Sequence, residues 1–151
     1  MFAKKSKVYK IRKGLNYSGI WFFKMFLRKQ KPFWVEVVLD ESCEIKTLGV
    51  QKIFGIGDLF HHKNSDRYGF IYKGNSEFEI CSYQYSNGEL LPQRILRTVK
   101  SNEPFKIAFR KGITDKYKIG RYLYPYFEQD GDSEKGAPHT MKIKLTFNNI
   151  N

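Results

Sequence analysis

The sequence predicts an all-β protein, one antiparallel β-sandwich or jelly roll of about eight or nine strands with little helix. Three observations lead there. Apolar and polar residues alternate with a period of two from one end of the chain to the other, whereas helical spacing does not recur. Turn chemistry punctuates the chain at short, fairly regular intervals. A length of 151 residues, with 41% hydrophobic and 17% aromatic content, suits one buried core, and residues 1–151 are read as one domain with a basic leading segment, 1–31.

Residues 8–12 alternate and end at Lys13-Gly14, a turn. Segments 21–27 and 34–39 are continuously apolar, as in strands covered on both faces, which places Trp21 and Trp34 in the core. Asp40-Glu41-Ser42 reads as a turn, 46–54 as the one stretch able to hold a helical turn, and Gly55-Ile56-Gly57-Asp58 as a separator. A strand starts near Phe70 and turns at Lys73-Gly74-Asn75. Residues 77–80 put Glu77 and Glu79 on a wet face. Asn87-Gly88 is the strongest hairpin signal, because a type I′ turn needs positive φ at both central residues. Strands follow at 94–99, 105–110, 118–127 and 142–147, with separators at Lys111-Gly112 and Asp130-Gly131-Asp132. The last strand puts Ile143, Leu145 and Phe147 on one face and its lysines in water.

The net charge of +12 is unevenly placed. Ten basic residues precede Glu36, the first acidic one, and from residue 32 onward 17 basic residues face 15 acidic. Basicity therefore belongs to the first fifth of the chain, where Lys4, Lys5, Lys7, Lys10, Arg12 and Lys13 offer a phosphate-binding surface supported by Tyr9 and Tyr17. The bland alternative is a solvated edge strand, since edge lysines also oppose sheet-to-sheet aggregation. No apolar run follows the leading lysines, so the expectation is no secretory signal, a mature start at Met1 and a soluble, cytoplasmic protein. Apolar stretches also fall short of the roughly 20 residues of a bilayer helix. Cys43 and Cys81 are then expected as reduced thiols.

The densest polar cluster runs from His61 to Gly69. His61, His62, Asn64 and Arg67 supply planar donors and acceptors suited to sugars or phosphates. Tyr83 and Tyr85 share a strand face beside Asn87 and can stack on a ring. The opposing reading is a solvated loop in which Asn64 and Ser65 cap a turn. Tyr122, Tyr124 and Tyr126 form a second row on one face.

Signals for chemistry are weaker. Adjacent histidines cannot point the same way on a strand, and two isolated cysteines make no zinc finger, so no metal is expected. Gly55-Ile56-Gly57 lacks the third glycine of a dinucleotide loop, and no cofactor is expected. His61, His62, Ser65 and Asp66 supply the residue types of a nucleophilic site without its arrangement. Glu77, Glu79 and Glu89 could in principle form a carboxylate pair, though their spacing singles none out. No catalytic residue is assigned.

Several stretches carry a resemblance: Gln51-Lys52-Ile53-Phe54-Gly55, His61-His62-Lys63-Asn64-Ser65-Asp66-Arg67-Tyr68-Gly69-Phe70, Phe78-Glu79-Ile80 and Tyr83-Gln84-Tyr85-Ser86-Asn87-Gly88. With Arg12-Lys13-Gly14-Leu15-Asn16-Tyr17-Ser18-Gly19, Tyr124-Pro125-Tyr126-Phe127 and Ala137-Pro138-His139, the chain resembles a family of uncharacterised small proteins of Bacteroidetes bacteria and crAss-like phages. It departs at Phe70, where the family pattern has Trp, and in the acidic insertion 128–134, where it has a short Gly-rich turn. The resemblance implies a single-domain β-sandwich and, if phage-encoded, a place in the host cytoplasm or the virion. It brings no activity. The order of motifs is also similar to concanavalin-like carbohydrate-binding sandwiches, a likeness of architecture that does not fix function.

Three readings follow. The favoured one is a non-catalytic binding or structural module contacting a glycan or protein partner through loops 61–69 and 83–88. A nucleic-acid-associated protein using segment 4–31 is the alternative, and a polysaccharide hydrolase comes last.

Overall fold

The computed structural model describes residues 5–18, 25–60, 63–129 and 136–149. Among these residues eleven strands form: β1 (Lys5–Ile11), β2 (Met25–Phe26), β3 (Phe33–Leu39), β4 (Gln51–Gly57), β5 (Ser65–Gly74), β6 (Glu77–Ser86), β7 (Glu89–Leu90), β8 (Ile95–Lys100), β9 (Phe105–Phe109), β10 (Gly120–Leu123) and β11 (Met141–Asn149). Among the described residues helix is limited to a 3-10 turn at Glu41–Cys43 and one α-turn, α1, at Lys111–Thr114.

All strand pairings are antiparallel, and they make two sheets. The four-stranded sheet has the order β1-β11-β3-β9. The seven-stranded sheet runs β2-β10-β4-β5-β6, with β7 and β8 pairing the two ends of the same β6 edge. Every second residue faces the space between the sheets. From the smaller sheet come Tyr9 and Ile11, Val35, Val37 and Leu39, Phe105, Ile107 and Phe109, and Met141, Ile143 and Leu145, all buried. The larger sheet answers with Phe54, Ile56, Phe70, Phe78 and Ile80. Phe54 sits at the centre, its ring 6.0 Å from Phe109 and 5.1 Å from Phe147, both edge-on. Each such side chain removed from water contributes about 1.5–3 kcal/mol. The Tyr68 hydroxyl crosses the core and donates to the Ala108 carbonyl at 2.6 Å.

Turns follow their residues. At Asn87 and Gly88 the φ values are 51° and 84°, as a type I′ hairpin requires. The chain ends of the smaller sheet lie side by side: Lys5 faces Phe147 and Ile11 faces Met141 across the β1–β11 ladder.

Several expectations are corrected. The strands number eleven among the described residues, because β2 and β7 are two-residue pairs too short to register as a period. No helical turn occupies 46–54; helical turns form instead at Glu41–Cys43, where the Asp40 carboxylate accepts from the Ser42 amide, and at Lys111–Thr114. Gly55-Ile56-Gly57 is the end of β4 rather than a separator. The strand expected over 118–127 stops at Leu123, ahead of Pro125. Of 21–27, Met25–Phe26 is strand, and residues 21–24, Trp21 among them, lie outside the described residues. Trp34 is half-buried on the outer face of β3, where the Lys106 ammonium lies 4.2 Å from its ring centre.

Candidate functional site

The outer face of the seven-stranded sheet gathers much of the expected site. On β5, Tyr68 and Phe70 point into the core, so alternation sends Ser65, Arg67 and Gly69 outward. Antiparallel register then sets Tyr83 opposite Arg67 and Tyr85 opposite Ser65. The two tyrosine rings meet edge-on at 5.9 Å. On the other side of β5, Gly55 is the partner of Arg67, and a Cβ built there would come within 2.4 Å of Arg67 Cγ. The arginine stem therefore lies across a glycine, where any side chain would displace it.

A lysine completes the row. Between Lys52 and Phe54 the β4–β5 register shifts by a bulge, which leaves Phe54 in the core and turns Lys52 to the outer face. Lys52 is only 4% exposed. Its Nζ donates to the Val50 carbonyl at 2.9 Å, lies 4.1 Å from the Tyr83 ring centre and stands 3.8 Å from Glu128 Oε1. Glu128 is fixed through its backbone: its amide donates to Gln51 Oε1 at 2.7 Å, and Gln51 Nε2 donates back to the Glu128 carbonyl at 3.0 Å. Tyr126 exchanges both backbone hydrogen bonds with Lys52 at 3.1 Å and stands edge-on to Tyr17 at 5.1 Å.

Burial dominates the electrostatics of this patch. It pushes Lys52 down to about 8, with Glu128 opposing the change and Arg67 adding to it. Burial likewise lowers Arg67 to about 10, with Tyr83 opposing and Arg121 reinforcing. Burial raises Tyr83, and Tyr85 beside it adds to the rise. Two polar atoms of this face, Arg67 Nε and Ser65 Oγ, are buried without a hydrogen-bond partner.

Other expected residues have different fates. Asn64 Nδ2 donates to Asp58 Oδ2 at 3.0 Å, while its Oδ1 accepts from the Asn87 amide at 3.2 Å. The Gly88 amide donates to the Lys63 carbonyl at 2.9 Å. Asn64 and Asn87 thus stitch the loop to the hairpin tip, beside the tyrosines. His61 and His62 lie outside the described residues. The second tyrosine row is divided: Tyr122 and Tyr124 pack on Phe54 in the core at 6.0 and 5.6 Å, and Tyr126 alone reaches the Arg67 face.

Ser65 and Asp66 face opposite sides of β5, so a nucleophile and a supporting carboxylate do not converge there. Asp66 is buried at 3% exposure and accepts from the Tyr117 hydroxyl at 2.7 Å, from Lys116 Nζ at 3.3 Å and from Gln84 Nε2. It borders a cleft of about 140 Å³ shared with Ser82, Arg94 and Leu96. Glu79 forms an ion pair with Lys73 at 3.7 Å on the wet face of its hairpin.

The basic segment is described in part. Lys4 lies outside the described residues, Lys5, Lys7 and Lys10 are exposed along β1, and Arg12 and Lys13 lie exposed beyond its end. Lys10 stands directly opposite Lys142 and Val8 opposite Lys144, so the outer face of the smaller sheet carries lysines from both ends of the chain. Among the described residues no three His, Cys, Asp or Glu side chains gather as a metal site. No helix among them is long and apolar enough to cross a membrane. Cys43 and Cys81 are free and buried, and each thiol donates to a carbonyl, of Lys142 and Gly69 respectively.

Sequence reasoning passed over Lys52 and Glu128 as site residues. Lys52 is hidden by the bulge, and Glu128 reaches Lys52 from 76 positions further along the chain. No protein-family model, curated protein or solved structure matches this chain.

Proposed function

We propose that the protein is a non-catalytic binding module that holds a glycan on the outer face of its seven-stranded sheet. The observation that carries this reading is the row Lys52, Arg67, Tyr83 and Tyr85 on adjacent strands, with Arg67 Nε and Ser65 Oγ lacking partners. Tyrosine faces stack on sugar rings, and an arginine fork with a hydroxyl beside it hydrogen-bonds ring substituents. Asn64 and Asn87 support the reading indirectly, by fixing the loop and hairpin that border the tyrosines.

Arg67→Ala and Tyr85→Ala test it, with binding to an oligosaccharide array and thermal melting recorded on the same samples. Each variant should keep the melting temperature within a few degrees and weaken binding by about tenfold or more, the range of a buried anchor contact. Lost stability with unchanged intrinsic affinity would make Arg67 and Tyr85 structural residues of β5 and β6 and refute this reading.

A nucleic-acid reading is favoured by one different observation. Like charges directly opposite each other across a ladder are destabilising, yet Lys10 faces Lys142 with Lys144 close by and with Trp34 and Lys106 on the same sheet. That arrangement suits a phosphate backbone with an aromatic beside it. Replacing Lys10, Lys142 and Lys144 by Gln should reduce the slope of log affinity against log salt by about 0.9 for each lost phosphate contact on duplex DNA. Absence of binding at about 50 mM salt, where weak phosphate contacts still register, would dismiss this reading.

A further inference from the structure

We propose that the glycan held on this face carries a carboxylate, and that Arg67, backed by Lys52, is its receptor. This inference rests on the glycan-binding reading and adds the ligand's charge.

The argument starts from an imbalance. Two cations, Lys52 and Arg67, sit close enough on neighbouring strands to repel each other. Among the described residues the carboxylate that faces them is Glu128, and it stands 3.8 Å from Lys52, near the outer limit of ion-pair distance. The Glu128 side chain is 45% exposed, so much of its charge is turned to water. Arg67 Nε is shielded from water and accepted by no oxygen. Placing charges out of water is costly unless each is paired and hydrogen-bonded. Among the described residues the site is thus one planar acceptor short. The depressed pKa values of both cations express the same shortage, since an anion beside them would raise both.

The missing partner has a definable shape. Guanidinium presents parallel N–H donors that match the two oxygens of a carboxylate, and such bidentate pairs are stronger than hydrogen bonds to neutral groups. Arg67 as a whole is half-buried, on the outward side of β5. Tyr83, directly across the ladder, carries Lys52 Nζ over its ring at 4.1 Å, and Tyr85, the next outward position of β6, is the ring left to the pyranose that bears the acid. A neutral sugar would use the tyrosines and leave Arg67 Nε without a charged acceptor.

The test uses the full chain and two matched pairs of oligosaccharides: hexamers of galacturonic acid and galactose, and of glucuronic acid and glucose. Because a net charge of +12 attracts any polyanion, titration calorimetry is run at about 150 mM salt, where screening acts beyond roughly 8 Å. The acidic member of at least one pair should bind about 10- to 100-fold tighter than its neutral counterpart, the range of a hydrogen-bonded charge pair. Arg67→Gln should erase the preference, so that acidic and neutral members bind that variant equally, and Arg67→Lys should recover part of it. The variant with Gln at positions 10, 142 and 144 should keep the preference, since those lysines lie on the other sheet. Equal affinity for acidic and neutral members would overturn the carboxylate while the glycan-binding reading stands. A preference that survives Arg67→Gln would overturn the assignment to Arg67. Failure of all four hexamers to bind would overturn the glycan reading and this inference with it.

Discussion

Replacing Lys52 by Met should make the protein more stable at neutral pH, and the size of the gain can be worked from its surroundings. Lys52 is 4% exposed and its pKa falls from 10.5 to about 8 through burial, even with Glu128 opposing the change. At about 1.4 kcal/mol for each pH unit, holding the charged form in the folded state costs about 3 kcal/mol relative to water. Methionine fills similar volume without charge. It forfeits the hydrogen bond to the Val50 carbonyl and the cation–π contact with Tyr83, worth about 1 kcal/mol each. The expected net gain is about 1–2 kcal/mol, or roughly 2–8 °C in melting temperature for a chain of this size.

The pH dependence gives a sharper reading. Between about pH 8 and 10.5 the unfolded chain binds a proton at Lys52 that the folded chain has released, so wild-type stability rises with pH across that window. The penalty is present in full below about pH 8 and fades as pH climbs through 10.5. The difference between Lys52→Met and wild type should therefore shrink from pH 7 to pH 10, while groups common to both proteins cancel. Urea melts of both proteins at pH 7, 8, 9 and 10 measure this difference. A variant less stable than wild type at pH 7, or a gap that does not change with pH, would refute the claim that this lysine is held charged against its surroundings.

Three further outcomes are expected. Gly55→Ala would bring a Cβ within 2.4 Å of the Asp66 carbonyl and 2.7 Å of Arg67 Cα, both backbone, so β4 and β5 must part locally; a loss of about 1–3 kcal/mol is expected in urea, and an unchanged midpoint would contradict the close approach. Tyr117→Phe removes the 2.7 Å hydrogen bond to the buried Asp66 carboxylate and should cost about 1–3 kcal/mol by the same assay, rising if Lys116 is replaced as well. Cys43 and Cys81 are at most 1% exposed, and burial raises their thiols to about 12 and about 11; neither should react with a chromogenic disulfide at pH 8 until the protein is unfolded, when both label without reductant.

The parts of the fold legible in the sequence are those set by neighbours in the chain. Alternation in 105–110 and 142–147 gave the buried faces of β9 and β11 correctly, and the Asn87-Gly88 pair marked its hairpin, because side-chain direction and φ preference are local properties. Local rules fail where the period itself breaks. Counted in twos, Lys52 and Phe54 share a face; the bulge between them puts one on the outer surface and the other in the core. Tyr122, Tyr124 and Tyr126 fail for a related reason, since the strand ends at Leu123 and Tyr126 lies past Pro125 on a backbone bridge to Lys52. Pairing between distant segments was also out of reach. Asp66 meets Tyr117 over 51 positions, and Lys10 meets Lys142 over 132, so neither the buried carboxylate network nor the lysine face of the smaller sheet is written in any one stretch.

The placement of β3 between β11 and β9 bears on how the chain is made. As the polypeptide emerges from a ribosome, Phe33–Leu39 appears early, yet its first partner arrives at Phe105 and its second at Met141. The β5–β6 hairpin closes over a few residues and can form while synthesis continues. The smaller sheet cannot: the seven residues Phe-Trp-Val-Glu-Val-Val-Leu of β3 have no ladder partner until β9 exists and keep one edge open until β11 does. Nascent chains stalled before Met141 should therefore bind chaperones at this segment, and release should coincide with translation of β11.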